Sequence, residues 1–525
     1  MTSSRLGLIL PALVVVGLTA VAVGHTEASF SLQGGNPANS YSVAPDFVAP
    51  TAIRTLVADP TNGPSFAVRQ CRFYYTYAEV ADSGNPPSGV ASVVADLTQL
   101  TAGVGADPLV AGSYTLGGTS YGYRGLAHLA TAAPGSHTYA LTSTDQVGNA
   151  RVQSPFPASV TANSSAVSAV FLTGLEQGVA SSAALGVFDL TTGSLSADAA
   201  VHRNGAYSLR LAPNYTAAYA AASLSGTGSA ASVRFAVRLA SLPTTTASLA
   251  AFVPAAGSWG YLVYDRSSGR FGVQWGAEAI TLGTVAPAVG TWYVIEMRVT
   301  LSNPRTLDWR IDRVDQASVS SAQASSSLVW LGLGTQDSNV AYVANYDDII
   351  ASSAANDYPI GDGKVLALPV NGVGSHDGSN RFRNDDNSGI DPDSWARVDD
   401  VPADSTADYV KQVTGAGNRY LEFTFADTSE TCINAVGALL AYHSAGSGNN
   451  SGTASIFNGS SESVIYRGRM NGTTLSYAHT VVWSGGEAWA AAAVNGLVAR
   501  VGYSNDVNPN PYWDALLLEY DVPVG

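Results

Sequence analysis

Three stretches between residues 230 and 312 alternate apolar and charged residues in a way that collects charge on one side. Ser232-Val-Arg-Phe-Ala-Val-Arg-Leu239 sorts Val233, Phe235, Val237 and Leu239 from Arg234 and Arg238. Thr291-Trp-Tyr-Val-Ile-Glu-Met-Arg-Val-Thr300 sorts Tyr293, Ile295, Met297 and Val299 from Trp292, Glu296 and Arg298. Thr306-Leu-Asp-Trp-Arg-Ile-Asp312 sorts Leu307, Trp309 and Ile311 from Asp308, Arg310 and Asp312. Successive side chains of a strand point to opposite faces, so each stretch is a half-buried strand. If the three share a sheet, its outer face is a lattice of Arg, Glu and Asp. Guanidinium groups there suit acidic or hydroxyl-rich ligands and carboxylates accept hydroxyl hydrogens. The same residues can instead neutralise one another as cross-strand pairs.

Aromatic residues add a second element of recognition, because sugar rings present flat C–H faces to π-systems. The hairpin Trp259-Gly-Tyr-Leu-Val-Tyr-Asp265 and Arg270-Phe-Gly-Val-Gln-Trp275 supplies Trp259, Tyr261, Tyr264 and Trp275. Alternation sends part of this set to the core. Tyr264 and Gln274 are expected outward beside Arg234 and Arg298, and the expected ligand-binding residues are Tyr264, Trp275, Arg234, Glu296, Arg298 and Arg310.

Motifs for catalysis are weaker. Gly118-Thr-Ser-Tyr-Gly122 has the letters of a nucleophile elbow, but the elbow needs a strand-to-helix turn and a hairpin is expected here. Ser375, His376 and Asp377 are adjacent in sequence, which does not make a spatial triad. In the loop Asn384 to Asp393, an EF-hand register from Asp385 puts Ile390 where glycine belongs and Ala396 where glutamate belongs. A carboxylate pair of the glycosidase kind has no sequence signature among 40 acidic residues. No catalytic residue is assigned, and a polysaccharide-degrading enzyme stands as an alternative.

The elements that must position these residues are strands. The chain has 525 residues, with 53 Gly and 24 Pro punctuating short apolar runs, which is an all-β pattern with room for several domains. A net charge of −15 argues against nucleic acid. Leu6 to Gly24 is uncharged after Arg5 and ends in small residues, the layout of an export signal cut after Gly24 or Ala28. It is also long enough to span a bilayer as an uncleaved anchor, the one expected membrane contact. The expected location is secreted or cell-surface. Cys71 and Cys432 fall in different expected domains and are read as buried thiols.

Further resemblances organise the chain. Asp82-Ser-Gly-Asn-Pro-Pro-Ser-Gly-Val-Ala-Ser-Val93 and Thr144-Asp-Gln-Val-Gly-Asn149 resemble the Ig-like domains of bacterial surface proteins, implying a spacer. Glu176 after Phe171-Leu-Thr-Gly-Leu, Asn204-Gly-Ala-Tyr-Ser-Leu-Arg-Leu211 and Tyr346-Asp-Asp-Ile-Ile350 look like the ends of a concanavalin or laminin-G-like jelly roll of the carbohydrate-binding-module type. The expected order is an export segment at 1–28, a linker at 29–49, an Ig-like sandwich at 50–165, a jelly roll at 169–356 and a C-terminal β-sandwich at 361–525. The connector Asp357 to Leu366 is too short for a flexible linker, so the last two are expected to pack together.

The jelly-roll resemblance also implies a structural Ca²⁺, and the matching positions are Glu176, Asn204 and Asp347 or Asp348. Calcium takes six to eight oxygens, so carbonyls and water would complete the set. As strand-end carboxylates these residues can equally be solvated surface. The function implied is a non-catalytic exported protein for adhesion or glycan recognition, whose partner is a glycan or cell-surface polymer. A surface-layer or phage-particle protein binding only protein neighbours is the other alternative.

Overall fold

The computed structural model describes residues 46–524, apart from 61–64, 85–86, 163–166, 179–185, 225–227, 324–326, 355–356, 377–381, 404–407, 413–418, 431, 445–449, 471–474, 483–488 and 504–510. The expected export segment, most of the linker and Asp377 lie outside the described residues. Among the described residues no helix is long and apolar enough to cross a membrane. The chain is all-β and divides into two compact units, Met1–Ala162 and Asn163–Gly525.

The first unit is a two-sheet sandwich. One sheet runs in the order Thr51–Ala58, Phe73–Ala81, Thr119–Arg124, Val110–Leu116, and the other Val68–Arg69, Ala150–Thr161, Gly135–Asp145, Val90–Asp96, Asp107–Pro108. Tyr74, Val93, Leu97, Leu100, Leu141 and Val160 fill the space between them. Gly118 to Gly122 lies on the hairpin joining Val110–Leu116 to Thr119–Arg124, with Gly117 and Gly118 at positive φ. Ser120 is an exposed strand residue there, without the strand-to-helix turn of a nucleophile elbow. Cys71 and Cys432 correct the thiol expectation, since both are disulfide-bonded.

The second unit contains the jelly roll and the C-terminal sandwich. The first sheet of the jelly roll runs Leu195–Asp198, Ser208–Leu211, Val343–Ser352, Ala230–Ser241, Trp292–Thr300, Arg305–Ile311, and Ala169–Thr173 also pairs with Val343–Ser352. The three sequences that suggested the fold therefore meet on one strand. The second sheet runs Leu190–Thr192, Ala218–Ser223, Leu328–Thr335, Ala247–Pro254, Gly260–Asp265, Arg270–Trp275 and Thr281–Leu282. Between the sheets, Val233, Phe235, Val237, Ile295, Met297, Val299, Leu307, Trp309 and Ile311 are all at most 1% exposed, as their alternation requires.

In the C-terminal sandwich the long strand Gly363–His376 pairs with Pro511–Pro523 through its first half and with Arg419–Phe425 through its second. It thereby passes from one sheet to the other around a core that includes Phe423, Leu440, Val501, Trp513 and Leu518. A short helix forms at Ala491–Asn495. The acidic loop closes on itself, with Arg397 Nη1 at 3.0 Å from Asp385 and 2.7 Å from Asp408.

Candidate functional site

The second sheet of the jelly roll has two faces of opposite character. Leu249, Phe252, Leu262, Tyr264, Phe271, Val273 and Trp275 point into the core. Their strand neighbours point out and shape a groove of about 510 Å³. Across five strands, Ala221 pairs with Gly332, Gly332 with Ala251, Ala251 with Tyr261 and Tyr261 with Gln274. Small residues make the middle of that row, so the sheet surface sinks there. On one flank Trp330 sits opposite Ser223 and Val253, and on the other Tyr219 sits opposite Gly334.

Four half-buried aromatics, Tyr219, Trp259, Tyr261 and Trp330, therefore stand around a shallow floor. The Trp259 and Tyr261 rings lie 6.0 Å apart and inclined by 39°, giving two apolar faces at one end. Polar groups rim the groove through Thr246, Ser248, Gln274, Gln336 and Asp337. Gln274 Nε2 donates to the Gly276 carbonyl at 2.6 Å, which fixes its amide oxygen outward from that bond. Among the described lining residues Asp337 is the one carboxylate, and none is Lys, Arg or His. The arrangement can stack flat, hydroxyl-bearing, uncharged rings and hydrogen-bond their rims.

This face corrects the aromatic expectation by one residue of register. Tyr264 is 1% and Trp275 0% exposed, both in the core, while Tyr261 and Gln274 face out. Gly260 and Leu262 point inward with Tyr264, so the hairpin places the other half of its aromatics at the surface. The hairpin also belongs to the sheet opposite the one carrying Arg234 and Arg298, which removes the expected proximity. Trp330 and Tyr219 were missed. Leu328-Val-Trp-Leu-Gly-Leu-Gly-Thr335 carries the signal for Trp330, because Leu331 and Leu333 must go inward and leave Trp330, Gly332 and Gly334 outside.

The charged lattice exists, but it does not face water. Arg234, Glu296 and Arg310 are cross-strand neighbours, as expected, and are 0%, 1% and 2% exposed. They are covered by the connector and the C-terminal sandwich. Arg234 pairs with Asp521 and donates to the carbonyls of Asp348 and Gly361. Glu296 accepts from the Gly361 N–H at 2.6 Å and lies 3.5 Å from Arg310, and burial pushes its carboxyl upward. All three are buried and engaged with protein partners, which withdraws them from the expected ligand-binding face. Arg298, at the edge, is paired with Asp308 at 2.7 Å and lies 4.9 Å from the Tyr358 ring centre.

The expected metal residues gather in a second place, where Ala169–Thr173, the loop before Ser208–Leu211 and Val343–Ser352 converge. Glu176 Oε2 accepts from the Ala206 N–H at 2.8 Å, while Oε1 is buried without a hydrogen-bond partner. Gly205, at φ +61°, makes room for it: a Cβ there would lie 1.9 Å from Oε1. Asp347 accepts the N–H groups of Arg203 and Asp348, each at 2.7 Å. Burial pushes Glu176 up to about 9, reinforced by Glu519 and Asp347, and raises Asp347 too.

Asp348 departs from the expected set. Its carboxylate accepts from the Arg203 guanidinium at 2.8 Å, the Asn204 side-chain amide at 2.7 Å and the Val365 N–H at 2.8 Å. A cation already neutralises it, so it does not fit a metal ligand. The Asn204 side chain is engaged with it. Among the described residues no three His, Cys, Asp or Glu side chains form a ready metal cage. Glu176 and Asp347 fit an ion only together with carbonyl and water oxygens.

No protein-family model matches the chain, and no curated protein matches it. Among solved structures, the cellulose induced protein Cip1 is 13% identical over 32% of this chain and 88% of that one, with a TM-score of 0.27. Trypanosoma rangeli sialidase is 12% identical over 32% of this chain, with a TM-score of 0.24, and the match spans 29% of the sialidase. The carbohydrate-binding module CBM66 from Bacillus subtilis is 11% identical over 31% of this chain and 94% of that one, with a TM-score of 0.22. Matches of this size place the chain in none of these families.

Proposed function

We propose that this chain is an exported glycan-binding protein whose ligand, a neutral polysaccharide, lies in the groove across the second sheet of the jelly roll. The observation that carries this reading is the set of half-buried aromatics, Tyr219, Trp259, Tyr261 and Trp330, around the Ala221, Gly332 and Ala251 floor. Concave, largely apolar sites with a few polar groups are where small ligands and sugars bind. With no Lys, Arg or His among its described lining residues, the groove selects against uronates and other acidic sugars, whose carboxylates would lose water without gaining a partner. Cleavage of a glycosidic bond needs two carboxylates flanking it, and Asp337 is the one carboxylate among the described lining residues of the groove, which supports a binding reading.

Two disulfide-bonded cysteines support an oxidising compartment, in line with the export signal read at Leu6 to Gly24. The first unit then serves as an Ig-like spacer presenting the second, in an adhesion role. The test uses the full chain in native affinity electrophoresis with mixed-linkage glucan, xylan and arabinan, against alginate and polygalacturonate. Retardation by one or more of the neutral polymers and by neither acidic one is expected. Retardation by the acidic polymers alone overturns the reading.

Calcium is part of the proposal as a structural ion held by Glu176 and Asp347. The orphaned Glu176 Oε1 and the glycine cradle at Gly205 support it. The ion would supply charge compensation and tie strands distant in sequence, adding its binding free energy to folding.

A further inference from the structure

We propose that the groove on the second sheet of the jelly roll holds an internal stretch of a neutral polysaccharide laid across the strands, and not a chain end or a single sugar. The inference rests on the glycan reading of this groove, and the experiment below separates the two.

The direction follows from where small and large residues stand. Leu190 pairs with Ala221, and the row continues through Gly332, Ala251 and Tyr261 to Gln274, one residue on each of six strands. Neighbouring strands lie about 4.8 Å apart, so the row is about 24 Å long. Its walls are closer together. Tyr219 stands on one flank, opposite Gly334, and Trp330 on the other, opposite Ser223. The rows that hold them are four residues apart along Ala218–Ser223, about 13 Å. The long axis of the groove therefore lies across the sheet, between the two aromatics.

Among the described residues neither end of the row is closed by a further strand. Leu190 belongs to an edge strand, and its side chain is 45% exposed. At the opposite end Thr281–Leu282 pairs with Gly272 and Val273 and stops short of Gln274.

The polar groups are arranged for a chain that passes through. Thr246, Ser248, Gln336 and Asp337 lie along the Tyr219 flank, whereas a site for a chain end would gather them about one terminus. The aromatics are likewise spread out. Trp330 and Tyr261 stand on strands two spacings apart, about 10 Å, so their rings serve different residues of a chain.

The experiment titrates the full chain calorimetrically with linear xylo-, arabino- and mixed-linkage gluco-oligosaccharides, from disaccharide to hexasaccharide. Affinity for one series that rises more than about tenfold from disaccharide to hexasaccharide is expected, and borohydride reduction of the end sugar should change it less than about twofold. Many protein molecules should bind each molecule of the parent polymer. Leu190→Ala and Trp259→Ala, surface changes at opposite ends of the groove, should each weaken hexasaccharide binding about threefold or more. Equal affinity for disaccharide and hexasaccharide, loss of binding on reduction, one protein per polymer molecule, polymer binding without hexasaccharide binding, or an effect of one variant alone overturns the inference and leaves glycan binding in place. No binding of any of these oligosaccharides or their polymers by wild type removes the glycan reading as well.

Discussion

The Arg234 guanidinium and the Asp521 carboxylate form an ion pair with both side chains fully buried, one from each sandwich of the second unit. Asn434 Nδ2 donates to the same carboxylate at 2.8 Å. The pair explains why Arg234, on the outer face of its sheet, has no access to solvent: its charge is met by a carboxylate of the other sandwich.

Removing one partner strands the other charge in the interior, which costs about 3–5 kcal/mol. Asp521→Asn should lower the stability of the second unit by that amount in urea denaturation. Gly363→Ala should act in the same direction, because a Cβ at Gly363 would sit 2.2 Å from Arg234 Nη1. A loss below about 1 kcal/mol for Asp521→Asn would match a surface pair and contradict the burial.

Calcium removal is a second test. Chelation should lower the melting temperature of the second unit, and Glu176→Ala should abolish that sensitivity. At calcium a hundredfold above its Kd the stabilisation is about 2.7 kcal/mol. Identical melting curves with and without chelator would end the calcium reading.

His479 supplies a pH dependence. Its Nε2 lies 3.0 Å from the Leu172 carbonyl, so the neutral ring donates there, and its ring packs 5.5 Å from Phe171. Burial lowers its pKa from 6.5 to about 4. Between these values the unfolded chain binds a proton that the folded chain refuses, so stability falls as pH drops from about 7 to 4. The full contribution is about 3 kcal/mol. Glu176 and Glu519, raised by burial, act oppositely and lose stability as pH rises through their folded values, so the readout is wild type against His479→Gln. The variant should lose the acid-side slope, and equal slopes would contradict the assignment.

Much of the fold could be read from period alone. Val233, Ile295 and Trp309 had to face one way and Arg234, Glu296 and Arg310 the other, and all six do. What period does not contain is what lies over a face. Arg234 is at a sheet's outer side and still has no access to solvent, because a strand almost 290 residues later delivers Asp521. Tyr264 and Tyr261 show the complementary limit. Both are tyrosines on one short strand, and only the inward demand of Leu262 and the glycine at 260 decides which is free. Asp348 looked equivalent to Asp347 until Arg203 was placed beside it. Glu519, buried where it accepts from the Glu176 N–H, had no local signature at all, since Leu-Leu-Glu-Tyr-Asp reads as a strand whose charged side meets water.

The groove reading is tested most directly by filling the groove without touching the core. A Cβ at Gly332 would meet only Ala251 atoms, at 3.9 Å, so Gly332→Leu projects into the groove over an intact sheet. Isothermal titration of the neutral polysaccharide that retards wild type should give saturable binding for wild type and none for Gly332→Leu at the same melting temperature. Tyr261→Ala should weaken it by about tenfold, the equivalent of about 1.4 kcal/mol. Unchanged affinity in folded Gly332→Leu would contradict the account.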